Sequence, residues 1–402
     1  MFETSTGRQL VSLGPLGMFE MEERNYLFRY YFTNYGYDIV DVGGVKYSDD
    51  KYHAILGRVI NNLSIYSAGH PRSIDNIILS INQVLSKGGS HRLYAIMLLA
   101  CSQMLNSLMP TYETIVASLV AKSVSYFDLI PGTNITFDQA VAEGKLIGSD
   151  STTIGYVPFL SPIAYTNWKN LNILSSDPKH RRFAEKLDDL LGVQSFFSPR
   201  AFEVVAFSRE ALVSMIRSDS EEQSVQTFRG LLRGLGAYST TRRDLFDINL
   251  ITSTEFKISK FDDVQEIVTA TDPGIFVPQK SNNPGFDFLV RYPTADNSHL
   301  NILYEMKYSD PSSVNPASLT QAVVEDKYSH CKKHFGDNFI LVVLGWREFN
   351  SSFNAAGLPP NTVVFDKKEL GKLYGPSFAN FIDIQFVEEP KLIATPSFKE
   401  FK

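Results

Sequence analysis

Residues 284–310 read PGFDFLVRYPTADNSHLNILYEMKYSD. The runs Phe286–Tyr292 and Leu300–Tyr308 are rich in Phe, Leu, Val, Ile and Tyr, and the segment between them is Pro, Thr, Ala, Asp, Asn, Ser and His. That is a strand, turn, strand pattern. With the turn centred near Asp296, symmetric pairing sets Asp287 opposite Glu305. Opposed side chains on one face lie about 4.5–5.5 Å apart at Cβ, where like charges repel. Alternation along the strand puts Lys307 on the face of Glu305, and Tyr304, Met306 and Tyr308 on the other. Two carboxylates and an ammonium then converge. A hard divalent cation, Mg²⁺ or Mn²⁺, relieves such repulsion through oxygen ligands. A register shifted by one residue would separate the pair. Glu-x-Lys also occurs on solvated strand faces, but the apolar setting LYEMKY is unlike such a face.

A chain of 402 residues has material for two or three domains, and its composition, 44% hydrophobic and 20% charged, is that of a globular protein. No apolar run is long enough to span a bilayer, and the N-terminus lacks a basic segment followed by a signal-like apolar stretch, so no membrane partner and a cytosolic or nuclear location are expected. The two cysteines, Cys101 and Cys331, form no Cys-x-x-Cys, which argues against a disulfide framework or a zinc site. A metal, if present, is held by oxygen. The net charge of −6 argues against a uniformly basic surface, so any nucleic-acid contact must rely on local patches. Candidates are Lys179–Arg182, the pair Arg242 and Arg243, and the pair Lys332 and Lys333; each also reads as a solvated face.

The first third reads as mostly helical: HAILGRVINNL, SIDNIILSINQVLSKGG with Ser73 as N-cap and Gly88–Gly89 as stop, and HRLYAIMLLACSQMLNSL. TFDQAVAEGKLIG reads as a helix ending near Gly144, and TTIGYVPFLSPIAYTNW as a strand with a Pro-rich exit, an order compatible with a winged-helix unit. SSDPKHRR marks a boundary. Helices are then expected in RRFAEKLDDLLGV, in SPRAFEVVAFSREALVSMIRS with Ser198 as N-cap and Pro199 first, and in SEEQSVQTFRGLLRGLGAY. Short strands follow in FDINLIT and TEFKISKF. Beyond the hairpin, NPASLTQAVVEDKYSHCKKHFG reads as a helix capped by Asn315, with Pro316 first and Gly336 closing it. NFILVVLGW reads as a strand buried on both faces. No phosphate-cradling G-x-x-x-x-G-K-[ST], no H-E-x-x-H and no G-x-S-x-G occurs, which disfavours nucleotide hydrolysis, zinc proteolysis and serine hydrolysis.

Asp287, then Glu305-Met306-Lys307 after a hairpin, then an amphipathic helix and a buried strand resemble the PD-(D/E)XK nuclease superfamily. FVPQKSNNPGFDFLV followed by LNILYEMKYSD is similar to the nuclease domain of Crinkler-type effectors and retrotransposon hot spot proteins, where a P-x-x-x-N-x-P-G-x-D segment precedes the catalytic strand. Their first helix carries F-E-x-x-A, matched here by Phe202, Glu203 and Ala206. SAGHPRSIDNIILSI resembles the Gly-His-Pro-Arg lid of STAND-type NTPase modules, and the segment through TNW the winged helix that follows it; the P-loop half of such a module is missing. The resemblance implies an α/β fold with a mixed-sheet nuclease core at 190–402, a mostly helical lid-like domain at 1–125 and a winged-helix-like segment at 126–178. It also implies a nuclear location, and an NTPase or protein partner for residues 1–178.

The function expected is Mg²⁺- or Mn²⁺-dependent hydrolysis of phosphodiester bonds, in double-stranded DNA. Asp287, Glu305 and the Met306 carbonyl would hold the metal, and Lys307 would orient water or contact phosphate. Glu203 is a further candidate ligand and catalytic residue, with Glu221, Glu222 and Glu255 as competitors. Gln321, with Lys332, Lys333, Arg242 and Arg243, would contact the nucleic acid; Tyr328 reads as packed, and His330 and His334 as exposed. The alternative is a catalytically inactive module that keeps the fold and binds nucleic acid or a partner.

Overall fold

The computed structural model describes residues 21–35, 49–67, 71–86, 111–120, 155–160, 162–191, 199–219, 225–241, 243–279, 285–307, 320–345 and 355–375, most of 124–142, and a few short segments elsewhere. The chain divides into two compact units, one built on Met1–Ile115 and Ser123–Ala164, the other on Tyr165–Ile384 with Val116–Lys122.

In the first unit the helices Met21–Tyr35, Asp49–Ser67 and Pro71–Leu85 pack through Phe28, Phe32, Val59, Leu63, Ile74, Ile77 and Ile81, all buried. The spacing of three and four residues among them is the stripe a helix must bury. Pro71 opens the third helix, so Ser73 lies inside the first turn rather than at its cap. Proline is preorganised for that first position because its φ is fixed. The helix expected from His91 onward begins instead as a strand, His91–Arg92, paired with Ile39–Val40, and residues 93–110 lie outside the described ones. Val124–Ser125, Gly155–Phe159 and Ile147–Ser149 form a three-stranded antiparallel sheet in that order, with the helix Phe137–Ala142 between the first and second in sequence. The segment after Phe159 is a helix, Pro162–Asn172, and not a mere exit from the strand.

The second unit is an α/β fold on a seven-stranded mixed sheet. In chain order its strands are β1 (Ala237–Tyr238), β2 (Ile258–Phe261), β3 (Gly274–Pro278), β4 (Phe288–Pro293), β5 (His299–Lys307), β6 (Phe339–Gly345) and β7 (Thr362–Phe365). Their spatial order is β2-β3-β4-β5-β6-β7-β1. β3, β4 and β5 are an antiparallel meander, β5, β6 and β7 run parallel, and β2 and β1 close the two edges. The labelled helices are α1 (Pro178–Leu191), α2 (Pro199–Ser218), α3 (Val264–Thr269), α4 (Gln321–Phe335) and α5 (Lys367–Tyr374).

Every residue of β6 is buried, as its unbroken apolar run requires of a strand covered on both faces. On one face Leu289, Leu303, Leu341 and Val343 meet Val324, Tyr328 and Cys331 of α4. On the other, the Phe207 ring of α2 packs edge-on against Phe288, which stacks on Tyr304 with centroids 4.5 Å apart.

Two elements of the second unit also differ from the sequence expectation. SEEQSVQTFRGLLRGLGAY is not one helix: Val225–Thr227 is extended, Thr227 caps the single turn Phe228–Leu231 by accepting from the Gly230 N–H, and the chain then enters β1. Three glycines and the β-branched Val225 and Thr227 weaken a helix there. Gly236, at φ +95°, lies where a Cβ would strike the Phe365 ring at 2.8 Å, so only glycine lets β1 settle beside β7. The N-cap of α4 is Thr320, not Asn315, with its side chain accepting from the Val323 N–H; Gly336 closes the helix at φ +63° as expected.

Candidate active site

The hairpin β4–β5 pairs Phe288 with Tyr304, Tyr292 with Leu300 and Pro293 with His299. The turn is therefore centred on Asp296, whose carboxylate accepts from the Thr294 and Ser298 hydroxyls at 2.5 and 2.8 Å. Those hydrogen bonds hold the Asp296 carboxyl below its ordinary pKa. Carried one residue beyond β4, the same register sets Asp287 opposite Glu305. The Asp287 N–H donates to the Tyr304 carbonyl at 2.7 Å, and the Met306 N–H donates to Asp287 Oδ2 at 2.6 Å. Asp287 is thus fixed against the edge of β5 at the point where Glu305 emerges.

Gly285 explains the Pro-Gly-x-Asp sequence before it. At φ +132° it passes so close to α4 that a Cβ would lie 3.2 Å from His330 Cβ. Its carbonyl accepts from Cys331 Sγ at 3.2 Å, tying the approach to Asp287 onto the helix. Burial and the Glu305 charge push the Cys331 thiol up to about 12.

Glu305 is 2% exposed. Its Oε1 takes two ammonium groups: Lys307, two residues along the same strand face, and Lys327, reaching over from α4 at 2.9 Å. Its Oε2 is buried and has no hydrogen-bond partner. Burial, then the charges of Glu305 and Glu203, push the Asp287 carboxyl up to about 8, against the Met306 N–H and Lys327, which pull it down. For Lys327 burial lowers the pKa, but the charge and hydrogen bond of Glu305 and the charge of Asp287 outweigh it, and the net shift is upward.

Asp287, Glu305 and Lys307 therefore come together, and Glu203, half-buried on α2, is close enough for its charge to act on Asp287. Among the described residues no group of three or more His, Cys, Asp and Glu side chains is arranged to hold a metal ion. Asp287 and the orphaned Glu305 Oε2 are oxygen donors of the kind a hard cation takes.

Several other candidates are engaged elsewhere. The Gln321 amide donates to the Gly357 carbonyl at 2.6 Å and to Glu325 at 3.1 Å, which ties the start of α4 to a neighbouring loop. Tyr328 is packed, its ring 5.4 Å from that of Phe339. Lys332 and Lys333 are exposed on the last turn of α4, and Lys332 pairs with Asp337 at 3.1 Å. Arg182 of the Lys179–Arg182 patch pairs with Glu255 and, at 3.8 Å, with Asp219. Glu255 is thus a structural partner of α1. Arg242, Glu221 and Glu222 lie outside the described residues, and Arg243 opens the 3₁₀ turn Arg243–Asp247.

The residue that sequence reasoning missed is Lys327. Its signal was present: Val324, Tyr328 and Cys331 form the buried stripe of α4, and position 327 falls within that stripe at helical spacing. A charge there needs a buried partner. No helix among the described residues is long and apolar enough to cross a membrane. Compared with protein-family models, with characterised proteins and with solved structures, the chain has no match.

Proposed function

We propose that the second unit is a metal-dependent nuclease of PD-(D/E)XK type that hydrolyses phosphodiester bonds, with double-stranded DNA as its substrate. The observation that carries this reading is the buried carboxylate pair Asp287 and Glu305, crossed by two lysines and left with one oxygen, Glu305 Oε2, unpartnered. A carboxyl buried beside a second carboxylate is costly to ionise, and groups perturbed in this way cluster where they serve a reaction. The order helix, three-stranded meander, helix, parallel strand, given by α2, β3–β5, α4 and β6, supports the same reading.

Asp287, Glu305 and the Met306 carbonyl would hold Mg²⁺ or Mn²⁺. Such an ion, when bound, acidifies water and offsets the charge that builds on the scissile phosphate. The residues do the rest. Asp287 and Glu305 present their oxygens on a rigid hairpin, so no reorganisation is needed at the moment of reaction. Lys307, at the open end of β5 with a side chain 32% exposed, faces the phosphate or the attacking water. Glu203 adds negative charge beside Asp287 and favours cation binding. Arg243, Lys332 and Lys333 remain candidates for backbone contacts, whose contribution falls with added salt because counterions are released.

Calorimetric titration with Mn²⁺ tests the metal site directly. One site per chain is expected, and Glu305→Gln is expected to weaken it by about 10²-fold, since a neutral amide replaces an ionised ligand. Equal Mn²⁺ affinity in the two proteins would remove Glu305 from the site.

A further inference from the structure

We propose that Lys327 is the standing counter-ion of Glu305, a positioning residue whose pairing releases Lys307 to act on substrate. The inference rests on reading the carboxylate pair as a phosphodiester-cleaving site.

Both ammonium groups converge on one oxygen, Glu305 Oε1. A carboxylate whose side chain is 3% exposed needs a cationic partner, because an unpaired buried charge is strongly destabilising. One partner meets that need, and here there are two, so one of them is dispensable to Glu305. Their settings differ. Lys327 sits in the middle of α4, its neighbours Val324, Tyr328 and Cys331 locked in the core and its own side chain 21% exposed. Lys307 is the last residue of β5 and is 32% exposed. The helix lysine is held in place by its backbone, whereas the strand lysine stands at the rim. Lys327 therefore keeps Glu305 paired when Lys307 swings to phosphate or water. It also occupies Oε1, which leaves Oε2 as the oxygen without a hydrogen-bond partner. Without Lys327, Lys307 is the sole partner of a buried carboxylate and stays bound to it.

The test compares wild type with Lys327→Met, Lys327→Gln and Lys327→Arg, the glutamine variant guarding against a methionine variant that fails to fold. Two readouts are taken: steady-state cleavage of plasmid DNA in Mg²⁺, and competitive acetylation of lysines by acetic anhydride followed by mass spectrometry. In the methionine and glutamine variants kcat is expected to fall about threefold, in step with the loss of released Lys307, with KM for DNA unchanged. Acetylation of Lys307 is expected to fall by about the same threefold, the scale of one exposed ion pair, because Glu305 is no longer shared with Lys327. Lys327→Arg restores both. Unchanged kcat, a loss confined to KM, or unchanged acetylation of Lys307 would overturn the assignment. If wild type itself fails to cleave DNA, the nuclease reading falls, and the acetylation of Lys307 alone decides whether Lys327 controls its pairing.

Discussion

Asp287→Asn is expected to lose cleavage by about 10³-fold, the scale of removing one preorganised electrostatic group from a reacting centre, while remaining at least as stable as wild type. Under the proposed nuclease reading, the activity loss follows from exchanging a carboxylate that a bound cation would hold ionised for a neutral amide. The stability follows from the setting: without metal, Asp287 is pushed up to about 8 by burial and by the charges of Glu305 and Glu203. In the unfolded chain an aspartate titrates near 3.9. Between those values the folded protein holds a proton that the unfolded chain gives up, so stability falls as pH rises from about 4 to about 8. Asparagine carries no such proton. It keeps an acceptor for the Met306 N–H and adds a donor on the side of Glu305. In EDTA, the stability difference in favour of Asp287→Asn should therefore grow from pH 5 to pH 9 in urea denaturation. Parallel pH profiles for the two proteins would show that the carboxylate pair is not strained.

The largest expected effect on folding is at Arg291. This arginine is fully buried on β4. Its Nε donates to Asn301 Oδ1 at 2.8 Å, Nη1 to the Ala270 carbonyl at 2.6 Å and Nη2 to the Ile267 carbonyl at 2.7 Å, and its guanidinium lies over the Phe276 ring. The last carbonyls of a helix have no partner within it, and here the guanidinium supplies one at the end of α3. Arg291→Met leaves two carbonyls and an amide oxygen without that donor, and a loss of about 3–5 kcal/mol is expected. Arg291→Lys should recover little, because a single ammonium cannot match three acceptors spread around a planar fork. The midpoint and slope of urea unfolding measure this. A change below about 1 kcal/mol, the range of a surface substitution, would mean that the network forms no part of the folding energy.

The centre of the site was legible because local chemistry fixed it. Thr294, Asp296 and Ser298 determine the turn, and once the turn is centred, period-two alternation sends Asp287, Glu305 and Lys307 to one face. The apolar run 339–345 could only be a doubly covered strand. What the sequence concealed depends on contacts distant along the chain. Arg291 reads as one polar residue in a strand until α3 is seen to end over it. Lys327 shows in the sequence only as a charge within the buried stripe of α4, and its partner Glu305 emerges when α4 is laid on β5. Of the basic clusters, Arg182 and Lys332 are joined to Glu255 and Asp337. Helix starts are ambiguous in the sequence at Ser73 and Asn315, where residues that can cap lie near residues that do begin the helix, and at Val225–Thr227, where glycines override an apparent period.

The most direct test of the nuclease proposal is conversion of supercoiled plasmid to nicked and linear forms by the full chain in Mg²⁺, with EDTA and with Asp287→Asn as controls. The account predicts cleavage by wild type in Mg²⁺, none in EDTA and none by the variant on the same time scale. Wild type that binds the plasmid but leaves it supercoiled in both Mg²⁺ and Mn²⁺ would contradict it, and would leave this sheet as a nucleic-acid-binding module that does not cut.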